Sequence, residues 1–103
     1  MDLTVLAVPD CPNVALLEQR LAGLVGGRPG VRVSRIVVDS AEEAARLGMH
    51  GSPTLLIDGS DPFPAPAVPA LACRLYPSED GPPEGAPAVS ALRRALAQAG
   101  LPG

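Results

Sequence analysis

The chain has 103 residues, of which 47% are hydrophobic and 18% are charged. This length fits one domain and is too short for two independent cores, and the composition is that of a chain that buries a core. The formal net charge is only -3, all eight basic residues are arginine, and 2% of the residues are aromatic. This balance argues against binding to a nucleic acid, which calls for a basic surface and stacking rings.

Apolar runs along the chain are far shorter than the roughly 20 residues that a membrane-spanning helix requires. The first residues lack a cationic segment and a cleavage site, so we expect a cytoplasmic protein with no membrane partner. Its two cysteines are Cys11 and Cys73. A reducing cytosol keeps structural disulfides open, which predicts that these residues act as thiols or as a transient redox pair.

The first half of the chain predicts a strand, a helix, a strand and a second helix. An apolar run at residues 3–8 is typical of a buried central strand. Apolar side chains then recur at three- and four-residue steps over residues 14–25, which predicts an amphipathic helix ended by a glycine pair. Residues 31–38 predict another strand, after which Ser40 and Glu43 form a capping box that opens a short helix.

The second half predicts two strands and a last helix. Residues 54–57 form a third strand that leaves through an Asp-Gly turn, and residues 59–70 hold four prolines that predict a stiff, extended loop. Residues 71–76 are the next strand candidate, placed antiparallel to the third, and Pro87 opens the last helix. The predicted fold of residues 1–103 is therefore one α/β domain, β-α-β-α-β-β-α, with a four-stranded mixed sheet flanked by helices.

The position of Cys11 favours a reactive thiol. It comes directly after the first strand and directly before the first helix, in the segment PDCPNV at residues 9–14. A helix start offers unpaired N–H groups and a partial positive charge that stabilise a thiolate, and Pro12 fits the first helical position. The neighbouring carboxylate of Asp10 opposes this stabilisation. The alternative is that Cys11 is a small buried hydrophobic residue.

The segment LGMHGSPTLLIDG at residues 47–59 contains a helix-ending glycine, an apolar residue, a short turn and a proline that opens a strand. Together with the strand-Cys-Pro-helix start, it resembles the thioredoxin superfamily, in architecture over residues 3–99. The resemblance implies that Cys11 is the attacking cysteine and that Pro53 follows a cis peptide bond and packs against its sulfur.

The same resemblance implies a site that binds the substrate. The backbone of Ser52, before the cis-proline, would pair with an extended thiol substrate. Pro12, next to Cys11, and Thr54, next to Pro53, would also belong to the substrate-binding site. The partner would be a low-molecular-weight thiol or a protein disulfide, which makes the chain a candidate thiol-disulfide oxidoreductase.

One departure from the family pattern is that Val14 stands where Cys-x-x-Cys oxidoreductases have their second cysteine. Two alternatives remain: Cys11 works alone, as in monothiol glutaredoxin-like proteins, or Cys73 resolves its mixed disulfide. On the predicted hairpin, Cys73 lies roughly 10 Å short of Pro53, whereas disulfide-bonded Cα atoms lie within about 7 Å. The alternative for Cys73 is a core thiol packed between Leu71 and Leu75.

Two functions of other classes stay open. Two thiolates suffice for a soft ion such as Hg(II) or Cu(I), and the segments at residues 10–13 and 73–76 resemble small proteins related to alkylmercury lyases. Alternatively the chain is a redox-inactive interaction module, which Val14 favours. We expect no cofactor and no resident metal, because no Cys/His set has zinc-site spacing, and His50 is interpreted as a solvent-facing loop residue.

Overall fold

The computed structural model describes residues 1–65 and 67–101, so Pro66 of the proline-rich segment and the last two residues lie outside the described residues. The three helices of the described part are α1 (Val14–Val25), α2 (Ala41–Leu47) and α3 (Val89–Gln98). The strands of the described part are β1 (Asp2–Ala7), β2 (Arg32–Val37), β3 (His50–Ser52), β4 (Thr54–Ile57) and β5 (Ala70–Cys73).

Strand β1 is the centre of a three-stranded mixed sheet in the order β2-β1-β4. It runs parallel to β2, with Leu3 opposite Val33, and antiparallel to β4, with Leu3 opposite Ile57. The parallel pair follows from the helical crossover through α1, which returns the chain to the same end of the sheet. The strand-helix-strand start predicted from the sequence is thereby confirmed.

The two faces of the sheet bury separate apolar clusters, as the alternation of side chains along β1 dictates. Leu3 and Val5 pack against α1 and α3 in the larger cluster. Leu6 faces the other way and packs in a smaller cluster with Val38 and with Ala44 of α2. The buried residues of both clusters are aliphatic apart from Met49, and Phe63 packs against the larger cluster.

The ends of α1 and α2 agree with the sequence, whereas α3 begins at Val89 with Ala88 as its N-cap, two residues after the proline predicted to open it. The N–H of Gly26 donates to the carbonyl of Ala22 at 2.9 Å and ends α1. At α2, the Ser40 hydroxyl accepts from the Glu43 N–H at 3.1 Å, and Gly48 closes the helix in a left-handed conformation with φ of 84°.

The predicted four-stranded sheet and its antiparallel hairpin are wrong. β5 pairs with β3, in parallel, and not with β4. The chain leaves β4 through a tight turn in which Ile57 donates to Ser60 at 2.8 Å, and it returns beside the residues that precede β4. Two sheets result, because β5 ends at Cys73 and its pairing is with the short strand His50–Ser52.

A surface ion pair links the edge strand β2 to helix α1. The Arg35 guanidinium of β2 bonds the Glu18 carboxylate of α1 and holds the pKa of that carboxyl below its ordinary value. Within residues 1–65 and 67–101, no helix combines the length and the apolar character needed to cross a membrane.

Candidate functional site

Cys11 lies in the turn between β1 and α1. Its N–H donates to the Val8 carbonyl at 3.3 Å, and Asp10 closes the turn in a left-handed conformation with φ of 58°, which aspartate tolerates. The residue is a free cysteine and is 8% exposed. The helix begins at Val14 with Asn13 as its N-cap, so Pro12 belongs to the turn and not to the first helical position predicted for it.

The Ser52–Pro53 peptide is cis, in agreement with the expectation, and both residues are buried. The Ser52 hydroxyl accepts a hydrogen bond from the N–H of Val8 at 3.0 Å. Val8 also accepts from Cys11, so one residue joins the cysteine turn to the cis-proline segment. Two parts of the chain that are distant in sequence therefore meet at the end of β1.

Tyr76 completes this site from a third part of the chain. Its hydroxyl donates to the Pro53 carbonyl at 2.5 Å. Burial raises the pKa of the Tyr76 phenol; Arg74 opposes the shift, and the nearby charges of Asp61 and Cys11 add to it. The phenol therefore stays protonated at neutral pH, as its role as a donor requires.

These contacts define the Cys11 cluster, which consists of Cys11, Ser52, Pro53 and Tyr76. The four residues come from the turn after β1, from the junction of β3 with β4, and from the segment after β5. The cluster holds one buried thiol, and it holds a buried Ser52–Pro53 peptide in which the Ser52 hydroxyl and the Pro53 carbonyl are already hydrogen-bonded.

Arg74 is a buried cation that contacts the segments around the cluster. Its side chain is 2% exposed and forms an ion pair with Asp61 at 2.7 Å. It also donates to the Thr54 hydroxyl at 3.2 Å and to the carbonyls of Phe63 and Pro64, and its guanidinium lies 4.7 Å from the centre of the Tyr76 ring. One buried cation thus fastens the proline-rich segment to the strands around the cis-proline.

The predicted substrate-binding residues are engaged within the fold. Thr54 is fully buried, and its hydroxyl donates to the Gly51 carbonyl at 2.6 Å as well as accepting from Arg74. The Ser52 carbonyl accepts the N–H of Arg74 at 3.1 Å. Pro12 is exposed in the turn after Cys11.

Cys73 lies opposite Ser52 in the parallel pairing of β5 with β3. Its thiol is free and the residue is exposed, so the interpretation as a core thiol between Leu71 and Leu75 is wrong. The predicted separation from Pro53 was also wrong, because it assumed a hairpin with β4. The pairing with β3 instead brings Cys73 to the residue that precedes the cis-proline.

His50 is the first residue of β3 and is half-buried, so its interpretation as a solvent-facing loop residue is wrong. It lines a pocket of about 260 Å³ together with Cys73. Across the described residues, no three or more His, Cys, Asp or Glu side chains group as a metal site would require.

A larger groove of about 480 Å³ lies between the proline-rich segment and α3. Tyr76 and Phe63 line it, with ring centres 5.7 Å apart in an edge-to-face arrangement. Tyr76 therefore belongs both to the groove, which its ring lines, and to the Cys11 cluster, where its hydroxyl bonds the Pro53 carbonyl.

The roles of Arg74, Asp61 and Tyr76 were not predicted from the sequence. One signal was present: in the run LACRLY at residues 71–76, a single charge interrupts an otherwise apolar strand candidate. A charge in such a run is either exposed or paired in the core. The partner, Asp61, carries no comparable signal, since it directly precedes Pro62 in the proline-rich segment.

Comparison of the chain with protein-family models, with curated proteins and with solved structures finds no match in any of the three. The contacts within the Cys11 cluster are therefore the observations that bear on function.

Proposed function

We propose that the chain is a thioredoxin-like thiol protein that performs monothiol thiol-disulfide exchange through Cys11, oriented by the cis-proline Pro53. The observation that carries this proposal is the Cys11 cluster. In it, Val8 joins the turn that carries a free thiol to a cis-proline peptide, and that peptide is held by Val8 at Ser52 and by Tyr76 at Pro53.

The exchange needs one protein thiol and two steps. The Cys11 thiolate attacks a disulfide R–S–S–R′, forming the mixed disulfide Cys11–S–S–R and releasing R′–S⁻. A second thiolate R″–S⁻ then attacks the R sulfur of the mixed disulfide, which gives R–S–S–R″ and regenerates the Cys11 thiolate. Val14 stands at the position of the second cysteine of the motif, and this cycle does not require that cysteine.

The fixed backbone around the thiol favours a small partner. An extended protein substrate docks by pairing its backbone with an open strand edge, and the Ser52 carbonyl is already occupied by the Arg74 N–H. Cys11 is only 8% exposed, which leaves a narrow approach. We therefore favour a low-molecular-weight thiol or disulfide over a protein strand as the partner.

The test is the turnover of a small mixed disulfide in the presence of excess glutathione. We expect the wild type and Cys73→Ser to turn over the disulfide, because Cys11 alone suffices when an external thiol is abundant. Cys11→Ser should fall to the uncatalysed background. The two serine variants are matched controls for each other, and circular dichroism checks that both fold.

Other outcomes assign other functions. Turnover by Cys11→Ser equal to that of the wild type contradicts the proposal, as does a wild-type rate no higher than that of free cysteine at equal concentration. Absence of turnover combined with stoichiometric binding of Hg(II) or Cu(I) by both thiols favours a soft-metal binding domain. Absence of both reactions favours an interaction module.

A further inference from the structure

Strand β5 occupies the backbone position beside Ser52. The Arg74 N–H donates to the Ser52 carbonyl at 3.1 Å, and Cys73 is the residue paired with Ser52. Neighbouring strands lie about 4.8 Å apart, so the Cys73 backbone is one strand spacing from the residue that precedes the cis-proline. The chain thus presents its own cysteine beside the cis-proline.

The side of β5 on which Cys73 projects follows from its neighbours. A Cβ built on Gly51 would lie 2.7 Å from the Arg74 Cβ, so Arg74 covers the Gly51 face of the small sheet. The register of the β3–β5 pair shifts between His50 and Ser52, so the face is assigned from the Ser52–Cys73 pair itself. Paired residues project to the same side, which puts Cys73 on the side of Ser52 and its neighbour Arg74 on the other. The Ser52 hydroxyl on that face bonds Val8, which in turn accepts from Cys11.

We propose that Cys73 is the resolving thiol for Cys11, and that the two form an intramolecular disulfide across the β3–β5 edge. This inference rests on the proposed function, since it needs Cys11 to form a mixed disulfide first. It adds a second, intramolecular route that operates when external thiol is scarce.

Formation of this disulfide takes two exchange reactions. A disulfide R–S–S–R converts the Cys11 thiolate to Cys11–S–S–R and releases R–S⁻. The Cys73 thiolate then attacks the Cys11 sulfur, the bond between Cys11 and R breaks, and the second R–S⁻ leaves. Two protein thiols are oxidised to one disulfide, and one small disulfide is reduced to two thiols.

Exposure and anchoring suit Cys73 to this role. Its thiol is free and the residue is exposed, whereas Cys11 is buried. The next residue, Arg74, is held by Asp61 and Thr54, so the backbone that carries Cys73 is fixed. A thiol held close to its target acts at an effective concentration of about 1 mM or more.

The experiment treats the reduced full-length protein, at micromolar concentration, with a small excess of glutathione disulfide, and quenches aliquots by alkylation. Intact mass counts glutathione adducts, and trypsin digestion without reduction identifies the linked peptides. Cleavage at arginine places Cys11 in the peptide of residues 1–20 and Cys73 in the peptide of residues 47–74.

We expect the wild type to lose two hydrogens and to yield these two peptides joined. Cys73→Ser should instead accumulate a glutathione adduct on Cys11 that lasts at least about tenfold longer than any adduct on the wild type. The matched control is Ala72→Cys combined with Cys73→Ser, which moves the thiol by one residue to a position that is not the partner of Ser52. It should keep the long-lived adduct.

The outcomes separate the two proposals. An adduct on Cys11 with equal lifetimes in the wild type and in Cys73→Ser leaves the exchange function standing and overturns the role of Cys73. Resolution by the Ala72→Cys control at the wild-type rate overturns the assigned face, as does a disulfide formed only between two chains. No adduct on Cys11 in any variant refutes the proposed function itself.

Discussion

Replacing Arg74 by methionine tests whether the buried cation holds the site together. The variant keeps the aliphatic volume and removes a guanidinium that bonds Asp61 at 2.7 Å, Thr54 at 3.2 Å and the carbonyl of Phe63 at 3.3 Å. Removing one partner of a buried ion pair costs about 3–5 kcal/mol, because the remaining charge loses its partner away from water. For a domain of this size, that is a large part of a free energy of unfolding of about 5–15 kcal/mol.

Urea unfolding followed by circular dichroism measures this loss. With a slope of about 1.5 kcal/mol per molar urea, the midpoint should fall by about 2–3 M. The matched control is Arg32→Met, whose guanidinium is 84% exposed and lies 3.6 Å from Asp2. It should change stability by less than about 0.5 kcal/mol, as exposed ion pairs contribute little.

Neutralising the carboxylate that Arg74 leaves behind should partly restore stability. In the background of Arg74→Met, Asp61→Asn keeps an oxygen that accepts from the Phe63 N–H, a bond of 3.0 Å in the wild type, and removes the unpaired charge. We expect the double variant to be more stable than Arg74→Met by at least about 1 kcal/mol. A loss below about 1 kcal/mol in Arg74→Met, or no recovery in the double variant, would refute the reasoning.

Two further predictions concern the same region. Tyr76 is the only tyrosine, and its pKa is raised above the ordinary 10.0 mainly by burial. The folded state therefore keeps a proton that the unfolded chain loses, so stability is full below about pH 10 and declines as the pH rises further. Tyrosinate absorbance should appear together with the loss of circular dichroism; ionisation of a still-folded protein near pH 10 would contradict this. For the glycines, Gly51→Ala should cost about 2 kcal/mol or more in urea unfolding, because its φ is +103° and its Cβ would meet Arg74, whereas Gly23→Ala in α1 should gain about 0.5–1 kcal/mol in open space. Equal effects of the two substitutions would show that the approach of Arg74 to Gly51 is not a tight constraint.

Local signals predicted most of the elements. The apolar spacing of α1, the capping serine of α2 and the run that forms β1 each act within a few residues, so each is readable from the chain. Strand β3 was missed because its three residues, HGS, carry no alternation and include a glycine. The sequence marked the same stretch as a turn before Pro53.

The pairing of β5 was not readable in the same way. It depends on a close approach between Gly51 and Arg74, which are distant in sequence. It also depends on the ion pair between Arg74 and Asp61, which holds the proline-rich segment against β4 and β5. A hairpin is the shortest connection and was therefore the prediction. The sequence predicted Cys11 and Pro53 as site residues. It did not predict the contacts of Tyr76 and Arg74 with the site, because those contacts depend on this non-local pairing.

The most direct test of Cys11 as the exchanging thiol compares Cys73→Ser, which retains only Cys11, with Cys11→Ser, which retains only Cys73. Each folded variant reacts with glutathione disulfide at neutral pH, and mass spectrometry gives the second-order rate constant. Exposure alone would make Cys73 the faster thiol, since Cys11 is 8% exposed. Our account predicts that Cys11 reacts faster. It is contradicted if Cys73 is faster and Cys11 reacts only after urea has unfolded the chain.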